Sequence, residues 1–211
     1  MPKNTATQWI LSLLATAILL TGCGGGSDGT EGLAADISQG NAEQIRKDYA
    51  ALDAKSSGSE VAPAAVAQPA LHPFAEAALA AVNLARSQAR TCGTSHHPAV
   101  GPLEWDARAA YAALLESEWM LENNTFGHTW PGGELVWDRL TMSGYDWSKA
   151  DENIAAGYRS LDKAMQAWID SPPHCVALMR PDVTEVGIAL VPGREGSTYL
   201  SYWTMVLASP R

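Results

Sequence analysis

The fold is decided where a helical pattern gives way to a strand pattern, in LDKAMQAWIDSPPHCVALMRPDVTEVGIAL, residues 161–190. Positions 161, 164, 165, 168 and 169 are apolar, which is the spacing of one helix face. Ser160 is a suitable N-cap for this helix. Further along, Val186, Ile188 and Leu190 alternate with other residues at the period of a β-strand. The stretch therefore predicts a helix followed by a strand.

On either side of this stretch, helices come first along the chain and strands come last. Helices are predicted from Pro73 to about residue 88, from the N-cap Asp106 to about residue 121, and over residues 134–142. A second strand is predicted over residues 199–207, joined to the first by the loop 191–197. We therefore predict an α/β fold with an antiparallel sheet that helices cover.

The composition excludes several classes of partner. Of the 211 residues, 46% are hydrophobic, which is enough to build a core. The 14 basic and 23 acidic side chains leave a net charge of −9. This balance argues against nucleic acid, which is contacted through lysine and arginine, and against docking on anionic lipid through a basic patch. No run of 18 apolar residues is present to span a bilayer.

The N-terminus predicts export and lipidation. Lys3 precedes an apolar run over residues 10–20 that is too short to cross a membrane and is typical of a signal peptide. The run ends in Leu20-Thr21-Gly22-Cys23, which resembles the bacterial lipobox, with residues 1–22 as the signal and Cys23 as the acylated residue. The alternative is an ordinary secretory signal with a chance cysteine. Gly24, where aspartate would imply inner-membrane retention, points to an outer-membrane lipoprotein facing the periplasm or the exterior.

Residues 23–72 are predicted to be a flexible tether between the lipid and a domain at 73–211. The segments 24–29 and 56–59 are rich in glycine and serine, and residues 61–70 are of low complexity. Residues 41–55 are able to form a short helix with Ile45, Tyr49 and Leu52 on one stripe.

Two cysteines remain once Cys23 is assigned to the lipid. Cys92 and Cys175 then allow a single pairing, and export places them where a disulfide persists. Closing so long a loop contributes roughly 4–5 kcal/mol in the chain-entropy treatment. The alternative is two separate buried thiols.

Histidines and acids stand at the edges of the predicted elements, in Phe126–Thr129, Asp151–Ala155, Ser171–Cys175 and Thr184–Gly187. Ser171 followed by two prolines predicts a helix start with His174 in its first turn. The positive end of the helix dipole disfavours an imidazolium there, so His174 is expected to be neutral near pH 7. The simpler interpretation is a packed or capping histidine.

Residues from about 74 to 210 resemble the CAP superfamily (cysteine-rich secretory proteins, antigen 5 and pathogenesis-related proteins), in its bacterial SCP-like branch. The order and spacing of short motifs carry the resemblance: Val82-Asn83-Leu84-Ala85-Arg86, Leu103-Glu104-Trp105-Asp106, Gly127-His128-Thr129, Asp138-Arg139-Leu140 with Gly144-Tyr145, Glu152-Asn153-Ile154-Ala155, Ala167-Trp168-Ile169-Asp170-Ser171-Pro172-Pro173-His174-Cys175, Glu185-Val186-Gly187 and Tyr202-Trp203-Thr204.

The resemblance implies a three-layer α-β-α sandwich with a central antiparallel sheet and a cleft lined by His128, Glu152 and His174. The fourth cleft position in the family is a glutamate on the helix carrying Trp168, where this chain has only Asp170 or Ser171; Glu185 is a further candidate. The family also usually has glycine where this chain has Pro173. The Cys92 and Cys175 positions match a bridge in related proteobacterial sequences.

Several functions fit the expected cleft of a monomeric domain. His128, His174 and Glu152 are candidate ligands for Zn²⁺, which would assist hydrolysis of envelope peptides or glycans. Without metal, Glu152 could act as a catalytic base beside a histidine. Against catalysis, the chain has neither a Gly-x-Ser-x-Gly nor a His-Glu-x-x-His motif. A non-catalytic site for a ligand or metal is therefore the leading hypothesis. The alternatives are a purely structural hydrogen-bonded cluster, a hydrolase, and a tryptophan-lined groove for a lipid or sterol.

Overall fold

The computed structural model describes residues 41–52, 54 and 70–211, so the signal sequence and Cys23 lie outside the described residues. A first helix, α1, covers residues 41–52. The remaining elements follow in the order α2 (Pro73–Arg86), β1 (Arg90–Cys92), β2 (Ser95–His97), β3 (Glu104–Trp105), α3 (Ala107–Glu122), α4 (Val136–Met142), β4 (Trp147–Ala156), α5 (Leu161–Asp170), α6 (Pro172–Leu178), β5 (Glu185–Pro192) and β6 (Ser201–Pro210).

The central sheet has the strand order β3-β5-β6-β4, and β1 and β2 form a separate small hairpin. β6 pairs antiparallel with both β5 and β4, but the two-residue β3 pairs parallel with β5. The sheet is therefore mixed, and the predicted antiparallel arrangement holds for its three long strands. The strand β4 was not predicted, because charged residues interrupt its apolar pattern; as the edge strand it keeps several of them in contact with solvent.

Alternation along β5 and β6 fills two cores, one on each face of the sheet. Val186, Ile188 and Leu190 pack with α2, α5 and α6, while Ala189 and Val191 pack with α3 and α4. In β6, Trp203, Met205 and Leu207 join the first core, and Val206 and Ala208 join the second. This arrangement confirms the three-layer α-β-α sandwich.

A close approach of α3 to β5 sets the spacing of the second core. α3 presents four buried alanines to this side of the sheet: Ala109, Ala110, Ala112 and Ala113. At Gly187 on β5, an added Cβ would lie 2.0 Å from the backbone nitrogen of Ala110. Only glycine allows the helix to come so near the strand.

α1 differs from the flexible tether that was expected around it, because it packs on α3. Ile45 is almost fully buried within the second core, and the rings of Tyr49 and Tyr111 stack with centroids 4.0 Å apart. Arg46 also forms an ion pair with Glu118. The predicted stripe of Ile45 and Tyr49 thus faces the domain, and its burial explains why the helix stays there.

The disulfide between Cys92 and Cys175 is present, as predicted, with the two Cα atoms 5.5 Å apart. It joins the end of β1 to the first turn of α6, and both cysteines are buried with Met179. No helix among the described residues is long and apolar enough to span a bilayer.

Candidate functional site

The edge strand β4 connects the two layers that supply the predicted histidines. Glu152 pairs with Val206, whose side faces α3 and α4, and its neighbour Asn153 pairs with Met205, whose side faces α5 and α6. Successive residues of a strand point to opposite faces. Glu152 therefore contacts the segment that carries His128, while Asn153 contacts α6, which carries His174.

His128 and Glu152, two of the three residues predicted to line one cleft, form a direct pair. The His128 Nδ1 atom lies 2.8 Å from Glu152 Oε1. The Glu152 side chain is only 3% exposed, whereas that of His128 is 44% exposed. The buried carboxylate thus holds an imidazole whose other edge is open to solvent.

A buried ionic network continues behind Glu152, and the sequence analysis missed it. Arg139 of α4 donates from Nη2 to Glu152 Oε2 at 2.7 Å, and its Nη1 lies 3.0 Å from Glu116 Oε2. Both Arg139 and Glu116 are fully buried. One guanidinium therefore faces two carboxylates. Glu116 falls on the α3 stripe of Ala109, Ala112 and Met120, and that spacing is the signal that could have predicted its burial.

Trp130 ties the segment between α3 and α4 to this network. Its Nε1 donates to Glu116 Oε2 at 2.7 Å, and the Arg139 guanidinium carbon lies 5.3 Å from the centroid of its ring. Arg139 also donates to the backbone carbonyl of His128 at 3.3 Å. The position of His128 therefore depends on contacts made by its ring, by its backbone and by Trp130.

The network changes the proton affinities of its members in different directions. Burial, reinforced by the charge of Glu152, raises the pKa of Glu116 to about 7, although Arg139 and Trp130 oppose the rise. The hydrogen bond with Glu152 raises the pKa of His128 more than burial lowers it. For His174 the pKa is lowered, mainly by burial and also by the charge of His128. Burial, rather than the helix dipole invoked from the sequence, is thus the main cause that favours the neutral form of His174.

His174 lies beside a cleft of about 290 Å³ between the end of β4, α5 and α6. It is the third residue of α6, the helix predicted to start after Ser171, and its backbone carbonyl accepts from Asn153 Nδ2 at 3.0 Å. The cleft is lined by residues 154–156 of β4 and by Phe126, Tyr158, Ala167, Trp168, Ser171, His174 and Tyr199. The wall is therefore mostly aromatic and aliphatic.

The candidates for a fourth cleft residue have separate locations. Ser171 lines the cleft. Asp170 accepts a hydrogen bond from Gln166 on the exposed side of α5. Glu185 accepts a hydrogen bond from Tyr145 and lines a different, polar cleft with Asp106. A second acid near Glu152 is Glu116 of α3, which is fully buried and shares Arg139 with Glu152 but does not line the cleft.

The donor set fits a metal only in part. Among residues 41–52, 54 and 70–211, no group of three His, Cys, Asp or Glu side chains has the spacing to hold an ion. Both oxygens of Glu152 are already engaged, one by His128 and one by Arg139. A carboxylate bonded to one imidazole nitrogen commonly orients a metal-binding histidine. Glu152 therefore fits an orienting role, with His128 Nε2 and His174 as the nitrogens that would hold Zn²⁺.

Comparison with known proteins agrees with this fold. A stretch of 88 residues is 38% identical to the uncharacterized membrane protein YlbC of Bacillus subtilis, and 90 residues are 29% identical to the uncharacterized protein YkwD of the same species. These matches cover 42% and 43% of this chain but only 25% and 35% of the two relatives.

A solved extracellular protein containing an SCP domain, from Bacillus anthracis, matches 67% of this chain and 45% of its own with a TM-score of 0.50 and 24% identity, which shows a shared fold. The profile of the cysteine-rich secretory protein family, CAP, matches residues 79–207. The chain therefore belongs to the CAP family of cysteine-rich secretory proteins.

Proposed function

We propose that the protein is an envelope-anchored binding module whose cleft takes up a small ligand without catalysing its conversion. The observation that carries this proposal is the cleft itself. Aromatic and aliphatic walls end in the polar side chains of Ser171 and His174, and His128, which pairs with Glu152, is near enough for its charge to act on His174. A mostly apolar cleft with a few polar groups is the usual form of a small-molecule site.

The contacts of Glu152 favour binding over hydrolysis. A general base needs a free carboxylate oxygen within reach of a substrate proton. In this site one oxygen of Glu152 is bonded to His128 and the other to the buried Arg139. Ser171 lines the cleft, but no hydrogen bond between its hydroxyl and His174 is present among the described contacts to activate it as a nucleophile.

The cleft is tested with N-phenyl-1-naphthylamine, a neutral apolar dye that fluoresces when it leaves water. We expect saturable binding to the wild type. Ala167→Phe, which places a ring in the cleft wall, should abolish it, and Ala80→Phe, on the exposed side of α2, is the matched control. Absence of saturable binding, or equal binding by Ala167→Phe, would contradict the proposal.

Zinc binding is a second candidate function, favoured by the neutral His174 and the oriented His128. A metal held by two imidazoles keeps positions for water and would supply Lewis-acid chemistry for hydrolysis. Zn²⁺ should raise the melting temperature of the wild type but not that of a His128→Ala, His174→Ala double variant. An unchanged melting temperature in the wild type would remove this candidate. Turnover of an envelope peptide or glycan that the double variant loses would instead establish the hydrolase.

Membrane attachment through Cys23 belongs to the same proposal. It is supported by the apolar run and the lipobox-like Leu20-Thr21-Gly22-Cys23. In a Gram-negative host, the wild-type protein should incorporate labelled palmitate and fractionate with the outer membrane, and Cys23→Ser should do neither. Unlabelled protein in the soluble periplasmic fraction would refute the anchor and leave the cleft hypothesis untouched.

A further inference from the structure

We propose that the ligand of the cleft is a neutral saccharide, bound with the apolar face of one sugar ring against the aromatic side chains at the mouth. The inference rests on the proposed binding function and specifies its ligand class.

Three aromatic rings from separate segments converge at the mouth. Phe126 follows α3, Tyr158 follows β4 and Tyr199 precedes β6. Phe126 and Tyr158 remain 45% and 38% exposed, although both are large and partly apolar. Such exposure on a folded domain indicates a surface used for contact.

The position of Tyr199 is fixed by its neighbours. Its ring centroid lies 5.8 Å from that of Phe126 and also 5.8 Å from that of Tyr202, to which it is perpendicular. Tyr202 is fully buried. Because these rings hold one another, a ligand that stacks on them loses little additional side-chain entropy on binding.

The charges around the cleft argue for a neutral ligand. Among the residues that the structure describes, no Lys, Arg, Asp or Glu lines it. The ionisable groups among these lining residues are two tyrosines and His174. A ligand with a phosphate or carboxylate group would therefore lose the hydration of its charge without gaining an opposite charge in the wall, which is unfavourable.

The polar groups of the cleft and its volume also fit a saccharide. The Ser171 side chain stands at the start of α6 but makes no capping hydrogen bond, so its hydroxyl can bond a ligand beside the His174 imidazole. A cleft of about 290 Å³ lies at the lower limit of small-molecule sites, about 300–1,000 Å³. This volume suits one sugar ring, most of whose hydroxyl groups remain in water, better than a long acyl chain. A sugar ring combines an apolar face, hydroxyl groups and no charge.

The test is displacement of N-phenyl-1-naphthylamine from the full protein by cellotetraose and by the tetramer of N-acetylglucosamine, with lysophosphatidylcholine as the lipid competitor. We expect at least one saccharide to displace the dye. Phe126→Ala and Tyr158→Ala should each lower the affinity for that saccharide about 2- to 10-fold. Trp137→Ala, which changes an exposed aromatic of α4 outside the cleft, should leave the affinity unchanged.

Ser171→Ala, which removes one hydroxyl, gives an independent check and should also lower the affinity for the saccharide. If the dye binds but neither saccharide displaces it, the saccharide inference is wrong and the binding function stands. Displacement by lysophosphatidylcholine alone identifies a lipid groove and overturns the inference in the same way. If the dye does not bind saturably, the proposed function is wrong and the inference that rests on it falls with it.

Discussion

Replacing Glu116 with glutamine should remove a pH dependence from the stability of the fold. Glu116 is fully buried, and one guanidinium, Arg139, is shared between it and Glu152. Its pKa is raised from 4.5 to about 7, so the folded state holds this proton more tightly than the unfolded state does. The resulting stability is complete below pH 4.5 and is lost as the pH rises through about 7.

The size of the effect follows from the two pKa values. A carboxyl whose pKa rises from 4.5 to about 7 on folding loses about 3 kcal/mol of stability between those limits. Glutamine keeps an oxygen that can accept from Trp130 Nε1, and it carries no charge at any pH. Glu116→Gln should thus match the wild type near pH 4.5 and exceed it by about 2–3 kcal/mol at pH 8.

Urea unfolding of both proteins at intervals from pH 4.5 to 8 measures this difference directly. Because the titrating groups outside the network are shared, the wild-type minus variant difference reports Glu116 together with its coupling to His128 and Glu152. Glu122→Gln, an exposed position on the same helix, is the matched control and should follow the wild type. A Glu116→Gln curve parallel to that of the wild type across the whole range would refute the reasoning.

Three further substitutions test the packing. Gly187→Ala should destabilise the fold by about 3 kcal/mol or more, because the added carbon meets the backbone of α3; Gly101→Ala, which has open space around it, should be near neutral in the same urea titration. Cys92→Ser should lower the free energy of unfolding by about 2–5 kcal/mol, and a reducing agent should then have no further effect on the variant. Ile45→Ala should cost about 2 kcal/mol at α1 and speed amide exchange in that helix, whereas the exposed Lys47→Ala should not; unchanged exchange in Ile45→Ala would show that α1 is held by other contacts.

Hydrophobic periodicity was sufficient to predict the elements in which a single helical or strand pattern dominates. Alternation at Val186, Ile188 and Leu190 identified β5, and the apolar stripe ending at Ile169 identified α5. β4 was not predicted, because Asp151 and Glu152 interrupt its apolar pattern. Its strand conformation comes from long-range pairing with β6. Such pairing is not encoded in local propensity.

The sequence predicted only part of the candidate site, namely His128 and Glu152, and not the buried network behind them. His128 and Glu152 were assigned to one cleft through the family resemblance, and they do form a pair. Glu116 was overlooked because an acidic residue on a helix is usually solvated. Its burial depends on Arg139, which arrives from a different helix 23 residues later, so only the folded chain reveals the partnership.

If Cys23 carries the proposed lipid, docking of α1 shortens the stretch of chain between that lipid and the domain. Residues 24–40 number 17, against 49 for the whole segment 24–72. Fully extended, the shorter stretch reaches about 60 Å and the longer about 170 Å. The volume that the domain can sweep therefore falls roughly 20-fold, and the concentration at which it meets targets near the bilayer rises accordingly. With that proposed anchor, the burial of Ile45 and the stacking of Tyr49 on Tyr111 would set how far from the membrane the domain can reach.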